Sequence, residues 1–129
     1  IANCLVGSEM CIRDRVELVD IYPTLVDIAG LKPPVGLQGM SLRPLLDHPE
    51  RRGKKKVAYS VVTRGPKLGY AVRNQNWRYS KWPDGEELYN LNNDPEEKKN
   101  LVSFPHVAER LTEFRLILQN KQKQFVDSP

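Results

Sequence analysis

The chain has 129 residues, a formal net charge of +4 and 28% charged against 40% hydrophobic residues, which suits one small globular domain and leaves no room for a large hydrolase with an accessory domain. No apolar run approaches the ~18 residues of a membrane span, and the first residues lack the basic and apolar regions of a secretory leader. The positive charge is mild and spread along the chain, which argues against a nucleic-acid footprint and is compatible with anionic partners.

In chain order, Leu5 to Asp14 comes first and reads LVGSEMCIRD. That string resembles one reading frame of a transposase adapter used in sequencing libraries, so residues 1–15 are read as an adapter-derived leader, to be set aside before fold reasoning. Both cysteines, Cys4 and Cys11, fall in this leader, and none follows Val16. The chain from Val16 onward therefore has no thiol for a disulfide, a thiolate metal site or a nucleophile.

Val16 to Gly30 predicts a short helix, with Asp20 as cap, Pro23 in the first turn and Gly30 as the stop. Ile21, Leu25, Ile28 and Ala29 fall on one face, which needs a partner surface. Lys32 to Gly39 is loop by its prolines and glycines, and Ser41 to Leu46 is a single capped turn. Asp47 to Lys56 is a polar, basic connector. From Val57 the period becomes two, giving strands at Val57–Thr63, Leu68–Arg73, Trp77–Trp82 and Glu87–Leu91, separated by turn chemistry at 64–67, 74–76 and 83–85. Such short connections require an antiparallel meander. From Pro105 to Phe125, Val107, Leu111, Phe114, Leu118 and Gln122 recur at helical spacing. The fold class is α+β: a small four-stranded antiparallel sheet covered by a C-terminal helix.

Two blocks, Val16 to Leu31 and Gly36 to Leu46, are similar to the VELVDLxPTLxxLAGL helix and GLQGxSLxPLL segment of sulfatases. Ala58 to Ser60, Gly69 to Arg73, Trp77 to Tyr79 and Glu87 to Tyr89 resemble the iduronate-2-sulfatase branch, and Asp94 to Leu101 resembles its DPxExxNL signature. The resemblance implies that residues 16–46 end an alkaline-phosphatase-like α/β core whose bulk lies upstream, and that 47–129 form the C-terminal subdomain. It also implies sulfate-ester hydrolysis by a formylglycine made from a C/S-x-P-x-R motif, with calcium held by aspartates and an asparagine. No such motif, and no Asp-Asp or Asp-Asn pair, stands in this sequence. Calcium and formylglycine are accordingly expected in the parent enzyme, and no catalytic or metal-binding residue is assigned here. The implied partners are the upstream catalytic domain and, through it, a sulfated carbohydrate; the implied location is periplasmic or secreted.

Several residues have a functional and a structural reading. Arg64 and Arg73, at strand ends, could contact sulfate or uronate through their guanidinium groups, or could hold the sheet together by stacking or ion pairing, Arg73 beside Trp77. The run Arg51 to Lys56 could steer a polyanion, or could be a solvated loop whose lysines discourage edge pairing. Alternation places Trp77 and Tyr79 on one sheet face and Trp82 on the other, which favours packing over sugar stacking. His48 and His106 have no carboxylate at a readable spacing and receive no role. Two rivals stand beside the sulfatase reading: a phosphonate monoester hydrolase or phosphatase of the same superfamily, and a free-standing carbohydrate-binding module.

Overall fold

Side chains that alternate between apolar and polar along four short strands can bury one sheet face only if something covers it. The computed structural model describes residues 15–48 and 56–126, which fall into two compact units divided between Lys56 and Val57. The adapter-like residues 1–14 and the basic positions 51–55 lie outside the described residues. Among those described, no helix is long and apolar enough to cross a membrane.

The second unit is the expected meander. Strands β1 (Ala58–Arg64), β2 (Lys67–Arg73), β3 (Trp77–Trp82) and β4 (Gly85–Asn90) lie in sequence order, each antiparallel to the next. Gly65, at φ 59°, takes the left-handed conformation that the tight β1–β2 link needs. The register aligns Val72 with Tyr79 and Tyr79 with Leu88, so one row crosses three strands. All three side chains are fully buried.

The cover is a 3-10 turn at Pro105–Val107 followed by a long helix, here α3 (Ala108–Val126). Val107, Leu111, Phe114 and Leu118 are buried in one cluster with the three strand residues, and Gln122 at the end of the stripe is half-buried. Phe114 meets Tyr79 at a centroid distance of 6.4 Å, tilted by 52°. Each such buried side chain contributes about 1.5–3 kcal/mol. A polar clasp fixes the rotation of the helix. The Tyr79 hydroxyl donates to Glu86 Oε1 at 2.8 Å, and Arg115 donates to the same carboxylate through Nε, at 3.1 Å to Oε2, and through Nη2. Arg115 holds the Glu86 carboxyl below the usual glutamate range, and burial pushes the Tyr79 phenol up.

In the first unit the apolar face that the sequence marks as needing a partner surface is left exposed, and another side of the helix is buried. Helix α1 (Ile21–Ile28) follows a 3-10 turn at Leu18–Asp20, and a short α2 (Arg43–Asp47) comes later. Gly30, at φ 68°, ends α1 as expected, with Gly30 N–H donating to the Asp27 carbonyl and Leu31 N–H to that of Val26. Asp20, however, does not cap α1 through its side chain. Fully buried, it accepts the N–H of Glu17 at 2.8 Å and of Met40 at 2.9 Å. Thr24, also buried, donates to the Asp20 carbonyl and accepts the Leu42 N–H at 2.9 Å. The buried residues of α1 are therefore Pro23, Thr24 and Val26, while Ile21, Leu25 and Ile28 are 50%, 59% and 55% exposed. Polar anchors to the returning segment, and not apolar area, chose the inner side.

The return passes very close at Gly39, where an added Cβ would lie 2.0 Å from the Val19 carbonyl oxygen. Gly39→Ala is expected to cost about 1–3 kcal/mol by overpacking, read as lost hydrogen-exchange protection in Thr24 to Ile28. Glu86→Gln is expected to cost about 1–2 kcal/mol, discounted because Arg115 is half-exposed. Because the folded Glu86 pKa is lowered, its contribution is complete above about pH 5 and fades as pH falls through the folded value. Urea unfolding should thus separate wild type from the variant at pH 7 and bring them together towards pH 3.

Candidate functional site

Strand alternation puts Arg64, Arg73, Arg78, Trp82 and Tyr89 on the sheet face opposite α3, with Trp77 and Tyr79 on the helix side. The two arginines singled out from sequence share this open face but not a site. Arg64 closes the β1–β2 hairpin, whereas Arg73 pairs with Ala58 at its other end, about 20 Å away at the rise of a strand.

Arg64 is a stacked arginine. Its guanidinium carbon lies 5.9 Å from the centroid of Trp82, and Trp82 itself covers Gly69, where an added Cβ would fall 2.5 Å from the indole. Beside it, Lys67 bonds Asp84 at 2.6 Å and holds that carboxyl below the ordinary aspartate range. Arg73 does not stack on Trp77, as its closeness along the chain suggested. It faces Arg78 across the strands on the open face, and it is Arg110 of α3 that lies over the Trp77 ring, at 5.8 Å. Arg73 is exposed, and among the described residues it makes no ion pair or ring contact. Its neighbour Arg78 is engaged, by Glu97 at 2.7 Å and by the Tyr89 ring at 5.3 Å. Glu97 holds that position at φ 56°, a conformation rare for a residue with a side chain.

The two histidines lie in different units. His48 follows the short α2 and is exposed, and His106 sits in the 3-10 turn edge-on to Phe104 at 5.7 Å. His106 lines a cleft of about 620 Å³ with Trp77, Asn90, Asp94, Lys99 and Arg110. Much of its polar wall is internally engaged. Arg110 bonds Glu113, Lys99 lies over Phe104 at 4.8 Å, and both Asp94 oxygens accept backbone N–H groups, from Lys98 at 3.0 Å and Lys99 at 2.8 Å. Those amides hold the Asp94 carboxyl below its usual range. Among the described residues no three His, Cys, Asp or Glu side chains converge to hold a metal. The buried Asp20 is committed to amides as well. The described carboxylates therefore do not fit the calcium that the resemblance implies.

The geometry gives the signature from Asp94 to Leu101 a structural meaning. Asp94 folds the turn, and Asn100 clips it to the sheet: its Oδ1 accepts the Leu88 N–H at 3.0 Å, its Nδ2 donates to the Glu86 carbonyl at 3.1 Å, and Leu101 N–H donates to the Leu88 carbonyl at 2.9 Å. The side chain completes the outer edge of β4 and aims the chain into α3. Sequence reasoning found the motif but not this task, because its partners lie 12 and 14 residues away. Asn100→Ala should cost about 1–3 kcal/mol by leaving a partly buried N–H unpaired, measured as a lower urea midpoint. Asn100→Asp, which keeps the acceptor, should lose less.

With this geometry in hand, the chain can be set beside known proteins. The model of the family "N-sulphoglucosamine sulphohydrolase, C-terminal" matches residues 5–124. The match thus begins within the segment read as adapter sequence. A Delta 4,5-hexuronate-2-O-sulfatase of Bacteroides thetaiotaomicron is 34% identical over 111 residues, covering 79% of this chain and 22% of its own length. Human arylsulfatase K is 34% identical over 110 residues, covering 75% of this chain and 20% of its own length. Among solved structures, a protein in complex with its substrate D-glucosamine-2-N,6-O-disulfate superimposes with a TM-score of 0.75 at 29% identity, over 84% of this chain and 24% of that one. The phosphonate monoester hydrolase of Agrobacterium radiobacter, at 24% identity and a TM-score of 0.69, shares the fold. The chain spans about a fifth of the length of the curated relatives it matches. By its family match, its sheet and its covering helix, the chain belongs to the C-terminal domain family of the sulfatases.

Proposed function

We propose that this chain serves as the C-terminal domain of a sulfatase acting on sulfated sugars, on the hexuronate or iduronate 2-O side of the family. In this reading the formylglycine and calcium chemistry resides in the rest of the enzyme. Residues 16–46 are the last part of the catalytic α/β core, and 47–129 are the subdomain that follows it. The enzyme works in the periplasm or outside the cell, where sulfated glycans are found.

The observation that carries this reading is the match to the sulfatase C-terminal family. The surface of α1 supports it. Leu18 in the preceding 3-10 turn is 85% exposed, and Ile21, Leu25 and Ile28 are 50%, 59% and 55% exposed on a helix anchored by buried polar bonds on its other side. So much apolar surface on a short helix is the mark of an interaction site, and the catalytic core is the partner of the right kind. A 2-O-sulfatase and an N-acetylglucosamine-6-O-sulfatase of the same bacterium are similar to this chain to nearly the same extent, 34% and 32%. The 2-O assignment therefore rests on the motifs at 58–60, 69–73, 77–79, 87–89 and 94–95.

Within the assembled enzyme, Arg73 is the better of the two arginines for an anionic sugar. Arg64 is committed to Trp82, whereas Arg73 projects from the end of β2 with its donors available for a bidentate contact.

Two measurements test the proposal. The purified chain, incubated with an aryl sulfate and with a 2-O-sulfated unsaturated disaccharide, should release no sulfate above a blank; turnover would place the chemistry in this chain. A chimera in which residues 16–126 replace the matching segment of the Bacteroides hexuronate-2-O-sulfatase should fold and hydrolyse the disaccharide. In that chimera Arg73→Ala should raise KM roughly ten-fold, the loss of about 1.4 kcal/mol that one charge-assisted contact supplies, while Arg64→Ala should act mainly on stability. An unchanged KM in the Arg73 variant would remove this residue from the substrate site.

A further inference from the structure

The two edges of the sheet are finished differently. The outer edge of β4 is closed by Asn100 and Leu101. β1 has β2 as its single strand neighbour among the described residues, and every residue from Ser60 to Arg64 is exposed. Val61 and Val62, on opposite faces, are 48% and 52% exposed. The β1–β2 register runs unbroken from Ala58 against Arg73 to Arg64 against Lys67, with no bulge to bend the edge away. Proteins ordinarily protect such an edge with proline, a charge within the strand, a bulge or a covering segment. β1 has no proline, its single charge is Arg64 at its last position, drawn over Trp82, and the lysines assigned to edge protection from sequence precede the strand.

We propose that the β1 edge is an interface between two copies of this chain, which pair antiparallel about a two-fold axis at Val61 and join their sheets into one of eight strands. A two-fold axis perpendicular to the sheet keeps each face on its own side, so opposed residues must share a face and the axis must fall on a residue. Centred on Ser60, the pairing would set Arg64 against Lys56 of the second copy, like charge against like. Centred on Val62, it would use only five of the seven strand residues. Centred on Val61, it uses all seven. Val61 then meets Val61, Val62 meets Ser60, Thr63 meets Tyr59, and Arg64 meets Ala58. No like charges are opposed, and Tyr59, Val61, Val62 and Thr63 are β-branched or aromatic, as cross-strand pairing favours. One strand edge buries little area, so the contact belongs to the small, weak class of interfaces.

Sedimentation equilibrium of the full chain, under reducing conditions that silence Cys4 and Cys11, tests this. As concentration rises to about 100 µM, where small interfaces begin to fill, the weight-average mass should climb towards twice that of the monomer. Val61→Lys and Val61→Glu, both at an exposed position, should each fold, as circular dichroism will verify, and should each remain monomeric. An equimolar mixture of the two should regain the dimer, because opposite charges then meet at the axis. Leu25→Lys, on the exposed face of α1, should leave association unchanged. A wild type that stays monomeric, a dimer that survives Val61→Lys, or one that is lost in Leu25→Lys would each overturn the proposal.

Discussion

Tyr79 is the residue on which the second unit depends. It stands in the middle of a row that crosses three strands with every side chain fully buried, Val72, Tyr79 and Leu88, and its ring receives Phe114 of the covering helix. A one-sided sheet of four short strands cannot shield its apolar face alone, so the helix must land on this row. The hydroxyl of Tyr79 then reaches Glu86, which Arg115 also grips from the helix. Apolar contact sets where the helix lies, and the shared carboxylate sets how it is turned. The loop between β4 and α3 meets the same demand: Asn100 and Leu101 clip it to the sheet edge so that the chain enters the helix with Val107 and Leu111 facing inward.

Much of this was legible in the sequence because periodicity reports burial. The four strands, the turns between them, the stripe from Val107 to Leu118 and the opposite orientations of Trp77 and Trp82 all follow from spacing. What was not legible depends on bonds between distant residues. The inner side of α1 was not legible because a buried Asp20 and Thr24 look like surface positions until their amide partners, at Met40 and Leu42, arrive 20 and 18 residues later. Arg73 was placed against Trp77 by closeness along the chain, although strand alternation separates them; the cation on that ring is Arg110, from an element whose docking no local pattern encodes. The clasp between Glu86 and Arg115, 29 residues apart, left no signal at all.

The candidate site was less legible than the fold, for a physical reason. The residues through which the chain resembles sulfatases do structural work where they are described: Gly39 allows a backbone crossing, Asp94 folds a turn, Asn100 closes an edge, and Gly69 accommodates Trp82. Family membership is thus written, in these residues, in packing and backbone bonding. Arg73 at the end of β2 and the apolar face of α1 are the features left unexplained by the internal bonding of their own units. Both are accounted for if a catalytic core lies against this domain.

Complementation in two pieces measures that claim most directly. A Bacteroides hexuronate-2-O-sulfatase shortened by the segment that this chain matches would be purified, mixed with the chain, and assayed for sulfate release from a 2-O-sulfated disaccharide. The account predicts that neither piece turns over alone, that the mixture does, and that Leu25→Asp on the exposed face of α1 abolishes the recovery. Turnover by this chain alone, or a mixture that stays inactive although both pieces are folded, would contradict it.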